Sequence, residues 1–153
     1  MKIAIGSDHG GIEMKEEIIE NLRKNGVEVE DFGIYTKASC DYPDIAEKVC
    51  EAVLAKSCEL GVLICGTGIG ISIAANKIPG IRCAHCHDTY SAKMTRLHNN
   101  ANVIAMGGRV IGPELAKEIV DNFINTPFSN DERHQRRIDK ITTIEKKYVK
   151  EGK

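Results

Sequence analysis

A chain of 153 residues, 42% apolar and 28% charged, is sized for one domain with its own core and excludes bulk disorder. Its 21 Lys and Arg against 22 Asp and Glu leave a formal charge of −1, which gives no general electrostatic reason to bind nucleic acid or an acidic membrane. No apolar run approaches the ~18–20 residues of a membrane span.

Short apolar runs alternate with helical patterns. Lys2–Gly6 reads as the first strand, and its run into Asp8 is too short for a signal peptide. Met14, Ile18, Ile19 and Leu22 then fall at helical spacing, and Gly26 stands where that helix should stop. Val27–Phe32 is the second strand. After a loop from Gly33 to Tyr42, Ile45, Val49, Ala52 and Val53 mark a second helix. Leu60–Cys65 is nearly all apolar, as expected of a strand covered on both faces. Strands over Ile81–Cys86 and Asn102–Met106 follow, then a helix with Pro113 just inside its start and an apolar stripe of Leu115, Ile119 and Phe123. Five βα units in a row predict an α/β fold: a three-layer α/β/α, doubly wound, Rossmann-like sheet of five parallel strands. A C-terminal helix from about Arg133 to Lys150 is added, with Ser129 and Glu132 read as its capping box. Its stripe of Ile138, Ile141, Ile144 and Tyr148 covers either the chain's own sheet or, the favoured reading, a second subunit. Residues 1–150 are expected to form a single domain.

The absence of an export signal predicts a cytoplasmic chain with free thiols, so Cys40, Cys50, Cys58, Cys65, Cys83 and Cys86 are not read as a disulfide framework. Buried apolar filler is the default role of each.

Ligands bind outside the carboxyl ends of open parallel strands. Polar and glycine residues gather there: Ser7-Asp8-His9-Gly10-Gly11, Cys65-Gly66-Thr67-Gly68-Ile69-Gly70, His85-Cys86-His87-Asp88 and Gly107-Gly108-Arg109. Gly66, Gly68 and Gly70 suit a loop whose N–H groups approach an anion at a helix start. The spacing is neither the dinucleotide fingerprint nor a Walker loop, and a tight strand-to-helix turn would use the same glycines. Cys65 directly precedes this loop, where a thiolate is favoured and where the same donors would hold a substrate oxyanion. Arg133 and Arg137, one turn apart, suit a phosphate or a solvated basic face with Arg136 and Lys140. Cys83-Ala84-His85-Cys86-His87 matches the haem-attachment pattern. Strand alternation, however, puts Cys83 and Cys86 on opposite faces, which argues against haem, zinc and a redox pair alike.

Taken together, Ser7-Asp8-His9-Gly10-Gly11, Asp41-Tyr42-Pro43, Cys65 to Ser72 with Ala74-Ala75-Asn76-Lys77, His98-Asn99, Gly108-Arg109-Val110 and Arg133-His134-Gln135-Arg136-Arg137 resemble the B-type ribose-5-phosphate isomerases. That family also holds galactose- and allose-6-phosphate isomerases, and the resemblance runs from residue 1 to about 148. It implies an aldose–ketose isomerase with no metal and no organic cofactor, acting on a phosphorylated sugar. By the same resemblance Cys65 is the base, Thr67 assists proton movement between sugar oxygens, and the N–H groups of Gly66, Thr67, Gly68, Ile69 and Gly70 hold the enediolate. His98, helped by Asp8, opens the furanose ring. Asn99 and Tyr42 contact the sugar, and His9, Arg109, Arg133 and Arg137 hold the phosphate. Ile71 stands where some members carry a glutamate base, which places this chain with the Cys type. The resemblance further implies a homodimer or homotetramer with sites shared between subunits. A non-catalytic phosphate- or nucleotide-binding module is the rival reading: it uses the glycines and arginines but not Cys65, His98 or Asp8. The His85-Cys86-His87 segment and the approach to Arg133 depart from the family pattern.

Overall fold

The computed structural model describes residues 1–149. Strands β1 (Lys2–Ser7), β2 (Glu28–Asp31), β3 (Leu60–Cys65), β4 (Cys83–His85) and β5 (Val103–Gly107) form one parallel sheet in the order β2-β1-β3-β5-β4. Helices α1 (Ile12–Lys24), α2 (Tyr42–Leu54), α3 (Ile69–Ala75), α4 (Thr89–Asn99) and α5 (Pro113–Asn125) connect or follow the strands, and α6 (Glu132–Tyr148) closes the described chain. The expected α/β class, strand count and C-terminal helix are all present.

Strand alternation divides the core. Ile3, Ile5, Val62, Ile64, Ile104 and Met106 face α1 and α5, meeting Ile18, Leu22, Ile119 and Phe123. Ala4, Leu63, Val103 and Ala105 face the other way, onto Ile45, Val49, Val53, Ile71 and Ala75 of α2 and α3. Each fully buried Ile, Leu or Val contributes roughly 1.5–3 kcal/mol, so this two-sided burial is what holds the sheet between its helix layers. The chain turns left from β1 to β2 and then right to β3. The carboxyl ends of β1 and β3, aligned by the Ser7–Ile64 pairing, therefore form the crevice where such sheets take ligands.

Several boundaries differ from expectation. β2 spans Glu28–Asp31 and not Val27–Phe32, because the Val27 N–H donates to the Leu22 carbonyl at the end of α1 at 3.0 Å; β1 and β5 each run one residue further than expected, to Ser7 and Gly107. β4 is shorter than Ile81–Cys86, because Arg82 N–H donates to the Asn102 side chain at 2.8 Å instead of joining a ladder. The N-cap of α6 is Asp131, whose carboxylate accepts the Arg133 N–H at 3.0 Å, and not Ser129. Asn130 is left-handed (φ 56°), so the backbone turns once more before the helix starts. Ser129 is used instead inside that turn, accepting the Asp131 N–H at 3.2 Å. α6 ends at Tyr148, and the expected last residue, Lys150, lies outside the described residues.

The cysteines separate as alternation requires. Cys86 packs in the α1/α5 layer and Cys83 against the α2/α3 layer, and all six thiols are free. Burial pushes the Cys50 thiol up to about 12 and Cys86 to about 11, which suits inert filler. Of the α6 stripe only Ile138 is buried; Ile141, Ile144 and Tyr148 remain 48%, 60% and 72% exposed. The stripe therefore does not cover the chain's own sheet. Among the described residues, no helix is long and apolar enough to cross a membrane.

Candidate active site

The carboxyl ends of β1, β3 and β5 meet in one crevice. Cys65 ends β3, buried at 4% exposure, and pairs in register with Gly107. The chain then turns through Gly66 and Thr67 to Gly68, which is left-handed (φ 77°) and caps α3. This turn brings the Gly68 N–H back onto the Cys65 sulfur at 3.1 Å. The Thr67 hydroxyl accepts the Ile69 N–H at 3.2 Å and is exposed at the loop's rim.

The β1 loop lies against the same glycines. Asp8 is 7% exposed, and its Oδ1 accepts the Gly10 N–H at 2.8 Å. A Cβ on Gly10 would sit 3.0 Å from the Gly66 nitrogen, so the two loops touch backbone to backbone. Arg109 extends over Gly66, with Nη1 only 3.3 Å from where a Cβ would stand, and its own N–H donates to the Gly66 carbonyl at 3.0 Å. Tyr42, at the start of α2, lays its ring over Gly70 in the same way, with Cζ at 2.6 Å from a notional Cβ. His9 is exposed on the adjoining loop. Asp8, His9, Tyr42, Cys65, Thr67, Arg109 and the loop of residues 66–70 are thus brought together at one end of the sheet.

His98, Asn99, Arg133 and Arg137 are not with them. α4 runs back against the strand direction, so His98 and Asn99 arrive at the opposite edge, where Arg82 Nε donates to the Asn99 carbonyl at 2.9 Å just ahead of β4. β3 is six residues long, which separates the two edges by about 20 Å at ~3.3 Å per residue. The first turns of α6 join this second group. His134 lies against His98, ring centroids 4.4 Å apart and planes tilted by 37°, and is anchored through Nδ1 to Ser129 Oγ at 2.8 Å. Burial, with His98, Arg133 and Arg137 nearby, holds the His134 imidazole below its ordinary value against the opposing Asp131 charge. Arg133 Nε lies 3.2 Å from Asp131 Oδ2, which offsets the cation's cost at a helix start. Arg133, Arg137, His98 and Asn99 are all exposed.

Two supporting side chains had no assigned role in the sequence reading. His134 is one; it shares the buried face of α6 with Ile138, four residues on, and that spacing was the available signal. Lys15 is the other. Fully buried on α1 among Met14 and Ile18, it donates to Asp31 at 2.8 Å and to the Ile34 carbonyl at 2.8 Å, pinning the segment that leads to Tyr42. At the end of β4, His85 Nε2 lies 2.9 Å from the Thr67 carbonyl, and His87 Nε2 accepts the Gly107 N–H at 3.0 Å. Among the described residues no group of three or more His, Cys, Asp and Glu side chains is arranged to hold a metal ion.

Comparison with known proteins gives a consistent picture. The family model described as Ribose/Galactose Isomerase matches residues 3–141. Ribose-5-phosphate isomerase B of Escherichia coli is 49% identical over 146 residues, covering 95% of this chain and 97% of that protein. The solved ribose-5-phosphate isomerase B of Clostridium thermocellum is 54% identical with a TM-score of 0.95, covering 97% of this chain and all of that one. A ribose 5-phosphate isomerase of Thermotoga maritima is 51% identical with a TM-score of 0.90, covering 93% of this chain and 97% of the other.

Proposed function

The chain belongs to the Ribose/Galactose Isomerase family, and on that premise we propose that it interconverts ribose 5-phosphate and ribulose 5-phosphate, with residues 1–150 acting as one sugar-phosphate isomerase domain. The observation that carries this reading is the Gly68 N–H held 3.1 Å from the Cys65 sulfur at the mouth of the glycine loop. A sulfur so held, at the end of β3 and facing the loop's N–H groups, is placed to take a proton from carbon.

The reaction is internal and balanced. Cys65 Sγ takes the C2 proton of the open-chain aldose, and the electron pair moves through C1 onto O1, giving an enediolate. The N–H groups of residues 66–70 hold the developing oxyanion. Sγ returns the proton to C1 while the O2 proton passes to O1, with the exposed Thr67 hydroxyl as its carrier. No external oxidant or reductant enters. Arg109 and His9 grip one side of the phosphate, a remote handle whose binding energy orients C2 toward the sulfur. Tyr42 and Asn99 contact the sugar.

The remaining groups come from a second copy. His98, Asn99, Arg133 and Arg137 stand a strand's length from Cys65 in their own chain, too far to share one sugar phosphate with it. In a two-fold dimer the His98 edge of one chain faces the Cys65 edge of the other. The uncovered Ile141, Ile144 and Tyr148 supply apolar surface for that contact. His98 of the partner subunit, paired with Asp8, opens the furanose ring as general acid, and the partner's Arg133 and Arg137 complete the phosphate grip.

A panel of four-, five- and six-carbon aldose phosphates assayed for ketose formation tests substrate and reaction together. Ribose 5-phosphate is expected to give the highest kcat/KM, and Cys65→Ala to lower kcat about a thousandfold with the fold retained. Undiminished turnover in that variant would remove Cys65 as the base. A six-carbon phosphate turned over more efficiently would replace the substrate assignment.

A further inference from the structure

We propose that His85 is a positioning residue for Cys65: its ring N–H holds the Thr67–Gly68 peptide in the one orientation that points the Gly68 N–H at the sulfur. This rests on Cys65 being the proton-transfer group.

The geometry of a single peptide unit sets this role. A carbonyl only accepts, so at 2.9 Å from the Thr67 oxygen the Nε2 of His85 carries the hydrogen. A trans peptide is planar, with its C=O and N–H on opposite sides. The carbonyl of the 67–68 peptide is therefore held by His85 on one side, and its N–H reaches Cys65 Sγ at 3.1 Å on the other. Gly68 tolerates either sign of φ, so this peptide is free to rotate by half a turn unless something holds it. Rotated, it would aim the Thr67 carbonyl at the sulfur and oppose the thiolate. His85 is close enough to prevent this: its Nε2 and Cδ2 lie 2.8 and 2.9 Å from where a Cβ on Gly68 would be.

His87 secures the other side of the same peptide. Its Nε2 accepts the Gly107 N–H at 3.0 Å, so the imidazole is neutral with its hydrogen on Nδ1. Gly107 packs on Thr67, with the Thr67 carbonyl carbon 2.7 Å from a notional Cβ. The two rings meet edge to face, centroids 4.5 Å apart. Burial and His85 hold the His87 imidazole below its ordinary value against the opposing Asp88, which keeps it an acceptor. The other charged or titratable groups facing the loop are Arg109 over Gly66, Asp8 beside Gly10 and Tyr42 over Gly70. Cys50 and Cys83, in the same apolar layer as Cys65, have thiols pushed up by burial.

The test compares His85→Leu, which removes the donor, with His85→Gln, which keeps one. Thiolate ultraviolet absorbance is titrated in each variant and referenced to the same variant carrying Cys65→Ser, which isolates the Cys65 signal. Losing the hold on a hydrogen bond to a charged group is expected to cost His85→Leu about tenfold in thiolate fraction at a fixed pH and about tenfold in kcat, with KM unchanged. His85→Gln is expected to stay within about threefold of the parent chain on both readouts. Because His85 is exposed, its replacement should leave thermal unfolding unchanged. An unmoved Cys65 titration in His85→Leu would overturn the proposal, and so would a kcat loss matched only by loss of stability. A moved titration in a chain that turns over no sugar phosphate would refute the proposed function while leaving this coupling standing.

Discussion

Gly68→Ala and Gly26→Ala form a matched pair that isolates what the glycine loop does. Both positions are left-handed, at φ +77° and +76°, so an alanine meets the same backbone penalty of roughly 1–2 kcal/mol at each. Their surroundings differ completely. At Gly26, behind α1, nothing lies within 4 Å of an added Cβ. At Gly68 the Cβ would stand 2.6 Å from the Met106 carbonyl carbon and 2.8 Å from His85 Nε2. The first of these is β5 backbone and cannot yield as a side-chain end would, so the loop itself must move. Overpacking of this kind adds about 1–3 kcal/mol. Gly26→Ala should therefore cost about 1–2 kcal/mol and Gly68→Ala about 2–5 kcal/mol. Moving the loop also withdraws the 3.1 Å N–H from the Cys65 sulfur. With Cys65 as the proposed base, losing a charge-assisted hydrogen bond of ~1.5–3 kcal/mol from it predicts a fall in kcat of about ten- to a hundredfold for Gly68→Ala and none for Gly26→Ala. Urea denaturation at one protein concentration, alongside turnover of ribose 5-phosphate, reads both quantities. Equal denaturation midpoints for the two variants, or full kcat in Gly68→Ala, would refute the reasoning.

Two further outcomes follow from buried groups. Lys15→Met leaves Asp31, 22% exposed, without its 2.8 Å partner. The expected loss is about 3 kcal/mol in urea denaturation, with KM for the sugar phosphate rising as the segment leading to Tyr42 loosens; a loss under about 1 kcal/mol would mean Asp31 is paired through water alone. His87 and His134 are both held below their ordinary value of 6.5 in the folded chain. The unfolded chain then takes up protons that the folded chain refuses as pH drops, so their contribution is complete above about 6.5 and is lost as pH falls through the folded values. Thermal unfolding should move to lower temperature between about pH 7 and pH 5, and His134→Gln should flatten part of that slope. A midpoint constant over this range would contradict both assignments.

The sheet was legible because its strands announce themselves. Leu60–Cys65 is nearly all apolar, buried at all six positions, and the helix stripes between strands have the 3.6-residue period. The split of Cys83 from Cys86 followed from period-two alternation alone. The N-cap of α6 was misread because Ser129 and Glu132 satisfy the capping-box spacing, whereas a left-handed Asn130 moves the cap two residues on, to Asp131. Spacing does not encode that turn. Cys65 was legible from its place before three glycines. His85 and His87 were noticed as unusual, but their hydrogen bonds to Thr67 and Gly107 bring together residues 18 and 20 positions apart, which no local pattern reports. Lys15 and His134 were missed for the reason they matter: polar side chains on an apolar stripe are seen as supports only once their partners are known.

The proposed division of the site between two copies of the chain is tested by complementation. A chain with Cys65→Ala and a chain with Arg133→Ala and Arg137→Ala are each expected to be inactive alone, one lacking the proposed base and the other half of the proposed phosphate grip. If the chain pairs as proposed, co-expression in equal amounts makes half of the dimers mixed, and each mixed dimer contains one intact site and one doubly defective site. Recovery of about a quarter of the parent kcat per chain is expected. Activity no greater than the sum of the two separate chains would contradict a site built from Cys65 of one copy and Arg133 and Arg137 of the other.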